Sequence, residues 1–155
     1  MTAQRIFDLA PIGSIVAWSD GTPRPPERHK KKLDAWRSNN ARGRLIAKQV
    51  ERRLGTVVIP AGFTLHETDI ASGGVIVMKV LRTFSVASDL RFEVVERPPA
   101  DSIRIFDRPS DGRELVHLAA DRREAETWLS RHSYPHAVLE EVLDAVAIAG
   151  EGRAA

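Results

Sequence analysis

The chain has no cysteine, which excludes disulfides, thiolate zinc sites and cysteine nucleophiles. Long apolar runs are also missing: the first residues, Met1 to Pro11, hold no segment resembling the apolar core of a secretory leader, and no later run approaches the length of a membrane span. The expectation is a soluble, cytoplasmic protein with no membrane partner. Aromatic residues make up only 6% of the chain, and none of the aromatic RNA-binding signatures, DNA-reading helix patterns or zinc-finger spacings is present. There is no glycine-rich phosphate loop, no Gly-x-Ser-x-Gly elbow and no dinucleotide fingerprint. No motif calls for a cofactor or names a reaction, and no internal repeat or low-complexity segment appears.

At 155 residues the chain has the length of one domain and buries roughly 70% of its unfolded surface without metal or disulfide staples. We expect a single α+β domain over residues 1–150 and a frayed tail at 151–155. The net charge of +2 hides an asymmetry: residues 1–60 carry 12 Lys and Arg against 5 Asp and Glu, whereas residues 61–155 carry 11 against 16. Such a split bears on partners rather than on fold.

Hydrophobic periodicity and turn chemistry place the elements. Residues 13–19 form a strand closed by Asp20-Gly21, and the prolines of Thr22–Pro26 keep the next piece extended. A helix starts at Pro26 or Glu27. His29, Leu33, Trp36 and Asn40 fall at i, i+4, i+7 and i+11, turning Leu33 and Trp36 inward, and Asn39-Asn40 and Gly43 stop it. Arg44–Val50 is expected as a strand, with a helix through Arg53 as the alternative. Thr56–Ile59 and Phe63–His66 are short strands. The apolar run Val75-Ile76-Val77-Met78 opens a strand, Gly74–Val86, of the kind buried on both faces. It is expected to form a hairpin with Leu90–Val94 across a turn at Ala87–Asp89. Ser102–Asp107 and Arg113–Leu118 form a second hairpin. Asp121 and Glu124 make a capping box for a helix whose face carries Ala125, Trp128, Leu129 and His132. Ser133-Tyr134-Pro135 breaks the chain, and Val138, Leu139, Val142, Leu143 and Val146 stripe a second helix ended by Gly150. The sum is α+β: a mostly antiparallel, curved sheet with one early basic helix and a C-terminal helical pair.

The early helix carries the functional signal. Arg28, His29, Lys30, Lys31 and Lys32 crowd its first turn and a half, where aligned peptide dipoles make cations unfavourable. Glu27 offsets a little of this through the dipole and an i, i+4 pairing with Lys31. Like charge at the wrong helix end suits an external anion such as phosphate, although charge runs often mark only a solvated face. Trp18 and Trp36 lie among these cations in positions to stack bases, yet large aromatics at such spacing mostly serve packing. Pro23-Arg24-Pro25-Pro26 fits a stiff connector better than a ligand for a proline-reading module. His66-Glu67-Thr68-Asp69 is a ligand-like cluster and His117 with Asp121 a looser pair, but neither comes with the second half of a metal site. His132 and His136 are separated by Pro135. No nuclease-type carboxylate arrangement accompanies the strand ending Val77-Met78-Lys79.

These residues lead us to expect a small, non-enzymatic protein that contacts nucleic-acid phosphates through Arg24, Arg28, Lys30, Lys31, Lys32, Arg42 and Arg44, largely without base readout. A second reading is an interaction module that meets an acidic protein partner, or self-associates as a homo-oligomer through its oppositely charged halves, with Glu140, Glu141 and Asp144 on the acidic side. A third is a metal-dependent hydrolase, which requires His66, Glu67 and Asp69 to converge in one cleft.

Overall fold

The computed structural model describes residues 1–143. Among them it holds three helices and ten strands, an α+β arrangement of mostly antiparallel sheet. The chain opens with a helix, α1 (Ala3–Leu9), capped by the Thr2 hydroxyl, which accepts from the Arg5 amide at 3.2 Å. Ala3, Ile6 and Ala10, spaced for one helical face, are buried. The Met1 amine donates to the Phe92 carbonyl at 2.7 Å and fastens the start of the chain to the sheet.

That sheet is five-stranded: β1 (Ile15–Ser19), β2 (Ala41–Gln49), β5 (Gly62–Ser72), β6 (Val75–Ser85) and β7 (Arg91–Glu96), in the order β6-β5-β2-β1-β7 with every pair antiparallel. Alternation sends Val16, Trp18, Leu45, Phe63, Leu65 and Phe92 to one face, where they pack on Ala3, Ile6 and Ala10. Phe84 and Phe92 come from strands at opposite ends of the order, yet their rings sit 5.2 Å apart, edge to face. A short hairpin, β3 (Arg52–Leu54) with β4 (Val57–Ile59), lies between β2 and β5 in the chain.

A second, three-stranded sheet is formed by β8 (Ile103–Phe106), β9 (Leu115–Ala119) and β10 (Val138–Glu141) in the order β10-β8-β9. The helix α3 (Arg122–Ser130) packs on it, with Ala125, Trp128 and Leu129 against Ile103, Ile105 and Ala119. Consecutive residues Leu45 and Ile46 of β2 bury on opposite sides: Leu45 in the first core, Ile46 with Phe106 and Leu115 of the second sheet. The Arg104 guanidinium donates to the Ile12 carbonyl at 2.6 Å across the same junction.

Four expectations need correction. The strand Gly74–Val86 pairs with β5, not with Leu90–Val94; Gly73 and Gly74 both take positive φ (59° and 81°) and close a two-residue hairpin turn, whereas β7 pairs with β1. The run beginning at Val75 is not buried on both faces, because β6 overshoots the core: Val75 is 65% exposed and Met78 58%. The second member of the C-terminal helical pair is absent where it was expected to begin. Val138–Glu141 is a strand antiparallel to β8, and pairing along that open edge outweighs a short stretch of helical periodicity. Asp144, Val146, Gly150 and the tail lie outside the described residues. Finally, the basic helix starts later, at Lys30, since Pro26–His29 forms a separate turn in which the His29 amide donates to the Pro26 carbonyl at 3.0 Å. The helix α1 was not anticipated at all.

Candidate functional site

The basic helix, α2 (Lys30–Ser38), is tied to the large sheet at its C-terminal end and to the preceding loop by Trp36. Leu33 is buried and Trp36 half-buried. The Trp36 indole donates to the Thr22 carbonyl at 2.9 Å, and the Trp18 indole of β1 donates to the Ser38 carbonyl at 3.1 Å. Asn40 donates to the Trp36 carbonyl at 2.8 Å and to the Asp20 carboxylate at 3.1 Å. Hydrogen bonds to Asp20 from the Thr22 hydroxyl, the Thr22 amide and Asn40, in falling order of effect, hold its pKa below the usual carboxylate value. Both indole N–H groups are therefore committed, and Trp18 is 2% exposed, which leaves it no face for a base.

The other end of α2 is open. His29, at the cap position, makes no side-chain capping bond, and the first turn contains no acidic residue. Arg28, Lys30, Lys31 and Lys32 are exposed, and none is in an ion pair among the described residues. At about 100° per residue, Lys31 points away from the Leu33–Trp36 stripe and Lys30 and Lys32 flank it. The three ammonium groups form a fan rather than a row.

The remaining candidates divide. Arg42 is exposed on β2, paired in register with Ala17. Arg24 lies 3.6 Å from Glu27 in an exposed ion pair, of a kind worth little. Arg44 is half-buried, and its Nη1 donates to the Gly13 carbonyl at 2.6 Å. It lines a cavity of about 530 Å³ between the two sheets instead of joining the lysine fan.

Sequence reasoning missed that cavity. From the large sheet come Arg44, Ile46, His66, Asp69, Lys79 and Leu81; opposite them are His117 of β9, Trp128 of α3, His132 and Tyr134. His66 Nε2 lies 2.6 Å from Asp69 Oδ1, and His117 Nε2 lies 3.0 Å from Glu124 Oε1. His132 Nδ1 lies 2.7 Å from the Trp128 carbonyl, which only accepts, so this nitrogen carries the proton. The His117 and His132 rings lie nearly parallel to the Trp128 ring, at 4.8 Å and 3.9 Å. In a regular strand, residues three apart face opposite ways. Here a register shift between His66 and Thr68 inserts Glu67 and brings His66 and Asp69 onto one face. Glu67 turns instead to Arg82, at 3.2 Å. His66, Glu67 and Asp69 do not converge, so the hydrolase reading loses the geometry it required. Among the described residues no group of three His, Asp or Glu side chains is placed to hold a metal. His117 meets Glu124 rather than Asp121, because the Asp121 carboxylate caps α3 by accepting from the Glu124 amide at 2.8 Å. With two cations, Arg44 and Lys79, and two acids, Asp69 and Glu114, the lining is charge-balanced and does not select a ligand by charge.

Two antiparallel sheets with helices on them define an α+β protein, with an exposed cationic helix start and a partly open cavity of mixed lining between the sheets. Over residues 1–146 the chain matches the family described as "Uncharacterised conserved protein UCP036055", and it belongs to that family. No curated protein and no solved structure matches the chain. No helix among the described residues is long and apolar enough to cross a membrane.

Proposed function

We propose that this is a cytoplasmic, non-enzymatic protein that binds nucleic-acid phosphates through the start of α2, with Arg28, Lys30, Lys31 and Lys32 as its centre and Arg42 as an outlying contact. The observation that carries the reading is the uncapped, acid-free helix start on which four exposed cations have no carboxylate partner among the described residues. Free amides and the dipole add to the attraction for an anion. The lysines diverge around the helix and do not form one row, which counts against a single contact patch, so the reading rests on the unpaired charge at the helix start alone. With Trp18 buried and the Trp36 indole fixed on the Thr22 carbonyl, we assign the contact to charge rather than to base readout.

The test is the salt dependence of binding to mixed-sequence duplex and single-stranded oligonucleotides. Changing Lys30, Lys31 and Lys32 together to Ala removes three phosphate contacts, so the slope of log K against log[salt] flattens by about two to three units. An unchanged slope, or no binding by the parent protein at low salt, rejects the reading.

A further inference from the structure

The outer half of the β5–β6 hairpin extends past the first core as an arm, one face of which, with Asp69, Ile76 and Lys79, walls the cavity between the sheets. By register, Ile70 pairs with Met78 and Ser72 with Val75, while a register shift opposite the step from Ile70 to Ala71 resets the alternation between them. Ile70, Val75 and Met78 thus share the face that, nearer the base, carries Phe63 and Phe84 into the core. Out on the arm that face covers nothing: Ile70 is 47% exposed, Val75 65% and Met78 58%. The sequence there reads as a strand buried on both sides, and the protomer alone leaves it in water.

We propose that the arm is a self-association surface, and that its occupant is the same face of a second copy of this chain, related by a two-fold axis. The lack of charge argues against a polyanion as the occupant. Thr68, Ile70, Ser72, Val75, Met78 and Val80 present no charge on this face, and the nearest charges at its base, Glu67 and Arg82, are already paired at 3.2 Å. Nucleic acid or a lipid headgroup would find nothing to neutralise, whereas an identical apolar face is complementary to itself. Size agrees. The six residues expose on the order of 500 Å² per protomer, so a symmetric pair covers on the order of 1,000 Å², the lower bound for a specific interface. The free edge of β6 is guarded by the register shift and by Lys79, which discourages open-ended strand addition. Face-to-face packing closes at two copies. This association does not depend on the nucleic-acid reading, and it differs from pairing of oppositely charged halves because it survives high salt.

Sedimentation velocity on the full chain, over a range of concentrations at low and high salt, tests it. The expected result is a dimer at both salts, with M78K and V75K each weakening dimerisation by more than about 30-fold. The absence of native cysteine gives a second measurement that does not rely on disruptive variants. M78C should react with a soluble thiol reagent several-fold more slowly at dimer-forming concentrations than on dilution, whereas V50C, on an exposed residue outside the arm, should react equally at both, and equal reactivity of M78C counts against the proposal. A parent protein that stays monomeric, a dimer that dissolves in high salt, or a dimer indifferent to M78K overturns the proposal. So does a monomer whose arm instead binds phosphatidylcholine vesicles.

Discussion

Replacing Lys30, Lys31 and Lys32 together with Ala should make the protein more stable while weakening its affinity for nucleic acid. The three lysines occupy the first turn of α2, where no acidic residue and no side-chain cap offset the dipole. A cation there costs about 0.3–1 kcal/mol at low ionic strength, and Ala is also the better helix former by a few tenths. Because all three side chains are exposed, the lower part of that range applies, and the combined gain is about 1–2 kcal/mol. For a chain of this length that raises Tm by about 3–6 °C. The assay is urea unfolding without nucleic acid, followed by tryptophan fluorescence from Trp18, Trp36 and Trp128, the first two of which tie α2 to its surroundings. Repeating it in high salt should erase most of the gain, since screening shortens the reach of the dipole. A triple variant that loses stability, or a gain indifferent to salt, would refute the argument that these lysines sit at an electrostatic cost. Stability gained and affinity lost in one variant is the signature of a surface kept for a partner.

Other substitutions separate structural cations from contact cations. Arg44→Ala should leave the salt slope of nucleic-acid binding unchanged but destabilise the fold by about 1–3 kcal/mol in urea titrations, because it strips the Gly13 carbonyl of a charged donor. Lys48 is half-buried, and burial pushes its pKa down against the smaller opposing pull of Asp8. The unfolded chain therefore holds this proton more tightly, and stability should rise as pH climbs through the lowered pKa towards the ordinary lysine value of 10.5. Lys48→Met should raise Tm at neutral pH and abolish that rise; a lower Tm or an unaltered pH profile counts against the burial argument. Phe63 is fully buried, with Phe92 at 5.3 Å and Phe84 at 5.8 Å. Phe63→Ala should cost about 3–5 kcal/mol, measured as a shift in the urea midpoint, and a much smaller loss would mean the sheet collapses around the gap.

Local chemistry settled much of this protein in advance. The alternation of Ile103–Phe106 and Leu115–Ala119, the Asp121 cap before α3 and the inward Leu33 of α2 each rest on contacts within a few residues, which the sequence carries in full. The α1 helix went unread although its signals, Thr2 followed by Ala3, Ile6 and Ala10 at helical spacing, lie in the same local chemistry. Strand partners were not, because pairing energy depends on which edges meet in space. Leu90–Val94 was nearest to β6 in the chain, yet β7 joined β1. Hydrophobicity likewise marked Val75–Met78 for burial without saying whether this chain's own core would supply it. The cavity was the least readable feature. A single inserted residue, Glu67, decides that His66 and Asp69 face the same way, and only the approach of a second sheet brings His117, Trp128 and His132 opposite them. Composition and periodicity fix what each segment can form by itself; which faces end up covered, and by what, is a property of the packed chain alone.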